Sequence, residues 1–135
     1  MFDALDFVYL PSRDVAVDLK HFTDQLGAEL VFAIEAFGTR VAMVRLAADP
    51  PPLLFAGHLQ GDQAILVYRV ESYDQAVREL ERRGVGALHR LEIPHGPCAS
   101  FTAAGGQRIA VYELVRPGAA AHFDGRIDEP SGEDG

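Results

Sequence analysis

An internal repeat limits what this chain can fold into more than any other feature: the order strand, helix, strand, strand, strand is written twice. Leu5 to Leu10 is rich in strand formers and is closed by Pro11. Val15, Leu19, Phe22 and Leu26 then recur at helical spacing, with Asp14 placed to cap the start and Gly27 to end it. Glu29 to Ala36 and Arg40 to Leu46 read as a hairpin about Phe37-Gly38-Thr39. Leu53 to Ala56 is a short fourth strand after the Asp49-Pro50-Pro51-Pro52 break. In the second pass Ala64 to Val70 is a strand, and Ser72 opens a helix with Gln75 three residues on, the spacing of a capping box. Tyr73, Ala76, Val77 and Leu80 form its apolar stripe and Gly84 ends it. Ala87 to Ile93, Cys98 to Thr102 and Arg108 to Val115 follow as strands, the last after a Gly105-Gly106 turn. Neither copy can cover its apolar sheet face alone, so each must lean on the other or on a second chain. The expected class is α+β with tandem βαβββ modules; the alternative is an α+β sandwich whose halves are alike by chance.

The repeat fixes the organisation as a single domain over 1–117, module one spanning about 5–57 and module two about 63–116. Residues 118–135 are expected to be a short irregular acidic tail. The chain has 135 residues and a net charge of −8. In the tail Asp124, Asp128, Glu129, Glu133 and Asp134 face one base, Arg126, so much of that acidity is a solvated end. An acidic chain without a basic cluster offers no face for phosphates, so no nucleic-acid partner is expected. The balance favours neutral or cationic small molecules. No apolar stretch is long enough to span a membrane, and none is expected as partner. A single cysteine, Cys98, excludes an intramolecular disulfide, and the start lacks the pattern of a signal peptide; the expected compartment is the cytoplasm.

Three segments carry a family resemblance. Residues 14–30 resemble the first-helix signature of the vicinal oxygen chelate superfamily, which includes glyoxalase I, the bleomycin resistance proteins and extradiol dioxygenases. His21-Phe22 stands where members often carry Phe-Tyr, and Leu26-Gly27 matches the usual Leu-Gly. Tyr68-Arg69-Val70-Glu71, Ala76-Val77 and Arg83-Gly84-Val85 resemble the same signature in the second module. Phe101 to Glu113 resembles the closing segment, where a glycine turn precedes Arg-Ile and an aromatic–acid pair. The resemblance covers residues 5 to 116. It implies that the two modules form curved mixed sheets around a cavity, commonly in a homodimer. Activity does not follow, because one scaffold hosts several chemistries.

Catalytic members of the superfamily hold a divalent metal on His and Glu side chains, and such metals need lone-pair donors. Alignment of the motifs puts Phe7, Ile65 and Ala110 at three of the ligand positions, and the fourth falls within Leu53 to Ala56. None is a donor, and Ala103-Ala104-Gly105-Gly106 replaces the Asp-Pro-Asp-Gly turn of many relatives. No metal and no cofactor is therefore expected. A relocated site would have to draw on His58, His89, or the His95 and Cys98 pair, whereas His21 and His122 read as solvated. Cys98 with His95 as a nucleophilic dyad competes with Cys98 as a small buried hydrophobe. The chain has no nucleophile elbow, phosphate-cradling loop or dinucleotide fingerprint.

Strand alternation supplies the candidate ligand residues. With Val8 and Leu10 toward the first helix, Phe7 and Tyr9 face the cavity. In the second module Val67 and Arg69, then Arg108 and Tyr112, face the same way, with Phe55, His89 and Phe101 as additions. Aromatic walls with a few polar tips suit a small organic ligand. The same side chains also suit a filled core or a dimer seam. Three functions follow: a metal-independent, bleomycin-resistance-like dimer that sequesters a drug or metabolite; an isomerase, lyase or hydrolase using Tyr9, His89, Tyr112 or Arg69; or a structural partner with no ligand.

Overall fold

The computed structural model describes residues 1–36, 38–59, 61–119, 125 and 127. The chain divides into two compact units: Phe7–Ala64 forms the body of one, and Met1–Asp6 goes with the segment that begins at Ile65 in the other. Each unit is a mixed sheet with one helix, and together they carry the βαβββ order twice.

In the first unit, strand β1 (Ala4–Pro11, entering this unit at Phe7) is followed by α1 (Val15–Leu26), β2 (Glu29–Ala36), β3 (Thr39–Arg45) and β4 (Leu53–Ala56). The strand order is β2-β3-β4-β1, antiparallel except that β1 runs parallel to β4. Helix α1 starts where the sequence placed it. The Asp14 carboxylate accepts the Val17 amide at 3.2 Å, and Gly27 closes the helix in the left-handed region at φ 71°. One face of the sheet packs on α1 through Ala33, Ala42, Val44 and Phe55, with Phe22 meeting Phe55 edge to face at 4.7 Å. A register shift between Leu30 and Phe32 sends Phe32 and Ile34 to the opposite face, beside Val41, Met43 and Leu54. All five are 3–5% exposed.

The second unit contains β5 (Ile65–Val70), α2 (Tyr73–Arg82), β6 (His89–Ile93), β7 (Gly96–Thr102) and β8 (Arg108–Glu113). Its order is β5-β8-β7-β6, with β5 and β8 parallel. The Ser72 hydroxyl accepts the Gln75 amide at 3.3 Å, and Glu113 reaches across to accept the Tyr73 amide at 2.8 Å. Val70, Ala76, Val77, Leu80, Ala99 and Val111 make the core beneath α2. The Gly105-Gly106 turn is a hairpin connection as expected: the Ala103 amide donates to the Gln107 carbonyl at 2.8 Å, and Gly106 has φ 90°.

Met1–Asp6 joins this second unit through specific bonds, which places Leu5 and Asp6 differently from the sequence division near residue 5. The Asp3 amide donates to the Arg69 carbonyl at 2.8 Å, and Phe2 lies 5.3 Å from Tyr68, ring to ring. Of the expected tail, residues 120–124, 126 and 128–135 lie outside the described residues. Gly125 donates to the Val31 carbonyl, and Ile127 forms a parallel bridge with Ala33.

Candidate functional site

Register fixes which side chains of the second unit share a face. Arg69 lies opposite Tyr112 and Tyr112 opposite Cys98; Val67 lies opposite Ala110, which faces Ser100. These alternate with Val70, Val111 and Ala99, which pack on α2, so the first set occupies the face turned away from that helix.

At the Arg69 end of this face four polar side chains meet. The Tyr112 hydroxyl donates a hydrogen bond to Asp6 Oδ2. Arg69 Nε stands 3.7 Å from the same oxygen. The His95 ring meets the Tyr112 ring edge-on at 5.9 Å. Burial holds the His95 imidazole below its ordinary pKa; Asp6 pulls it upward and Arg116 pushes it further down. Tyr112 is almost fully buried, whereas the Asp6 side chain is 22% exposed and that of Arg69 40%. Solvent therefore reaches the carboxylate and the guanidinium, with the phenol behind them.

The turn that brings His95 to Tyr112 is clamped from the far end of the unit. Arg116 donates to the Pro94 carbonyl at 2.7 Å and to the Ile93 carbonyl at 2.9 Å, and pairs with Glu92. The Val115 and Arg116 amides both donate to the His95 carbonyl at 3.0 Å. Only glycine fits at position 96, because a Cβ there would stand 2.0 Å from the Glu113 carbonyl oxygen.

The candidate residues fall into three groups. Arg69 and Tyr112 are brought together, with Val67 on the same face and almost fully buried. Arg108 and His89 share that face by register, Arg108 half-buried opposite Ile65 and His89 exposed opposite Ser100. Phe7 and Tyr9 belong to the first unit, where their rings meet edge-on at 5.9 Å, and Phe7 is buried. Phe55 and Phe101 require correction in orientation, because both pack toward a helix. Leu53 to Ala56 is apolar at every position, so alternation has no visible phase, and pairing with Ala42 and Leu10 turns Phe55 onto α1. Phe101 pairs with Ile109 and packs into the core under α2. Asp6 and His95 are the residues missed as members of this cluster. Alternation from Phe7 and Tyr9 gives Asp6 the wrong phase, because the chain passes from one unit to the other between Asp6 and Phe7.

The residues present do not fit the divalent metal that the resemblance implies. Phe7, Leu54, Phe55, Ile65 and Ala110 are buried and apolar, and among the described residues no group of three or more His, Cys, Asp or Glu stands together. His95 and Cys98 belong to no such group, and burial, with Glu92 adding to it, pushes the Cys98 thiol up to about 12. Cys98 is a buried strand residue, 3% exposed. A separate cavity of about 350 Å³ lies at the start of α2, lined by Asp3, Glu71, Ser72, Gln75 and Glu79 over Val70 and Ala76. It opens on the α2 side and does not include the Arg69 cluster.

The sequence matches no protein-family model and no curated protein. Solved structures match the fold across most of the chain. Methylmalonyl-CoA epimerase from Mycobacterium tuberculosis is similar at 23% identity and a TM-score of 0.70, over 88% of this chain and 93% of that one. A glyoxalase/bleomycin resistance protein/dioxygenase superfamily member from Vibrio splendidus 12B01 is similar at 14% identity and a TM-score of 0.60, over 79% and 96%. A variant of Streptomyces coelicolor methylmalonyl-CoA epimerase, solved in complex with 2-nitronate-propionyl-CoA, matches at 12% identity and 0.67, over 85% and 99%. The protein has the vicinal oxygen chelate fold, as the resemblance implied.

Proposed function

We propose that this protein is a small-molecule-binding member of the vicinal oxygen chelate fold that works without a resident metal. In this reading a homodimer holds a drug or metabolite on the polar face of the second module and withholds it from its target. One observation carries the reading. The positions where the superfamily seats its metal are buried hydrocarbon, while Asp6, Arg69, Tyr112 and His95 remain gathered at an accessible edge. Polar groups convergent on an otherwise apolar face are the usual composition of an organic-ligand site.

The dimer is supported by large apolar side chains left exposed on α1, Val17 and Leu26. The cytoplasm is supported by the single cysteine. No helix among the described residues is long and apolar enough to cross a membrane.

The test is a thermal-shift screen against aromatic antibiotics and natural products, with elemental analysis of the same sample. A binder raises Tm by mass action and does so without added metal. A stoichiometric divalent ion in the purified protein, or turnover that needs one, overturns the reading. The bond between Tyr112 and Asp6 beside His95 favours a second reading, an acid–base enzyme without metal. Metal-independent turnover abolished in Tyr112→Phe would select it.

A further inference from the structure

We infer that Arg69 is the recognition point for a monoanionic carboxylate, so that the ligand of the second module is an organic monocarboxylic acid; this rests on the small-molecule reading above. Arg69 sits on β5 opposite Tyr112, with its side chain 40% exposed. Its acidic neighbour is Asp6, nearest on the Nε side, and Asp6 is itself fixed by the Tyr112 hydroxyl. The carboxylate thus takes one flank of the guanidinium. Among the described residues no other side chain pairs with Arg69, so its terminal Nη groups present a planar, two-donor edge, which matches a carboxylate in fork geometry.

Charge decides between a carboxylate and a phosphate. Arg69 and Asp6 together carry no net charge, so only the near field of the exposed guanidinium edge draws an anion; one negative charge can be paired there, whereas a dianion costs more to desolvate and needs a second cation. The next cation on this face, Arg108, lies opposite Ile65, at the far end of β5 from Arg69. At about 3.3 Å per residue, those four strand positions put it roughly 13 Å away, too far to share the same anionic group. The local chemistry therefore runs against the overall balance of −8, which by itself favours a cationic ligand.

The experiment follows the Arg69 side-chain Nε–H resonance in uniformly 15N-labelled full-length protein during titration with sodium benzoate, benzamide and inorganic phosphate. Benzoate is expected to move that resonance along a saturable curve, while benzamide and phosphate leave it in place. Affinity for benzoate is expected to fall about tenfold to a hundredfold in Arg69→Gln. Arg69→Lys keeps the charge without the planar edge, so it is expected to fall between the two. Both variants are checked by circular dichroism, and the lysine variant preserves the ion pair with Asp6. The inference is overturned if phosphate moves the resonance as benzoate does, if Arg69→Gln binds benzoate as tightly as the parent, or if benzoate leaves the resonance unmoved. Stabilisation by neutral or cationic compounds, unchanged in Arg69→Gln, would sink the carboxylate assignment and leave small-molecule binding standing.

Discussion

The two modules share a topology but differ in what they do with the sheet face turned away from the helix. In the first, Phe32, Ile34, Val41, Met43 and Leu54 form an apolar, buried run on that face, with Tyr9 beside Leu54. In the second, Ile65, Val67 and Ala110 form a similar apolar centre, but Arg69, Tyr112, Ser100 and Arg108 interrupt it, and Asp6 joins them from the start of the chain. Repeating a βαβββ frame therefore did not repeat its chemistry. One copy is committed to packing, and the other keeps polar side chains that are costly to bury unless paired. Those pairs are what the structure supplies: phenol to carboxylate, and carboxylate to guanidinium.

Four tests probe this contrast, in descending order of effect. Phe32→Ala removes a buried ring from the packed face and is expected to cost about 3–5 kcal/mol, read by chemical denaturation. A cost near that of a surface change would mean the first face is not packed at all. Tyr112→Phe keeps the ring and removes the hydroxyl from Asp6, for about 1–3 kcal/mol in the same assay. If it is neutral, the polar cluster contributes nothing to holding Met1–Asp6 on the second module. The helix caps should show no contrast: Asp14→Ala and Ser72→Ala are each expected to cost about 1 kcal/mol, measured side by side.

The smallest effect is in pH. His95 has a lowered folded-state pKa, caused first by burial, so the unfolded chain takes up the proton at a higher pH than the folded one. Stability from the neutral imidazole is complete above the unfolded value of about 6.5 and is lost as pH falls from there through the folded value. Denaturation midpoints of the parent and His95→Gln, compared between pH 7.5 and 5, should converge as the pH drops. Parallel curves would show that His95 is not held neutral against Tyr112.

Much of the frame was legible because it rests on local rules. Asp14 and Gly27 bracket α1, Ser72 opens α2, and the Gly106 turn joins β7 to β8, each through a bond between residues a few positions apart. The apolar character of Phe7, Ile65 and Ala110 was legible too, since it belongs to the residues themselves and not to their arrangement. The orientation of Phe55 and Phe101 was not. In an unbroken apolar run, or one of small residues, the phase of a strand is set by its partner, and the partners Ala42 and Ile109 come from other parts of the chain.

The sequence by itself determined the repeated βαβββ order, the caps and turns that delimit it, and the hydrocarbon at Phe7, Ile65 and Ala110. Only the tertiary structure decided that Met1–Asp6 leaves its own module, that Asp6 meets Tyr112 and Arg69, and that the Arg116 clamp carries His95 to the same place. Caps and periodicity are properties of neighbouring residues. The cluster joins Asp6 to Tyr112 across most of the chain, and no spacing rule reaches that far.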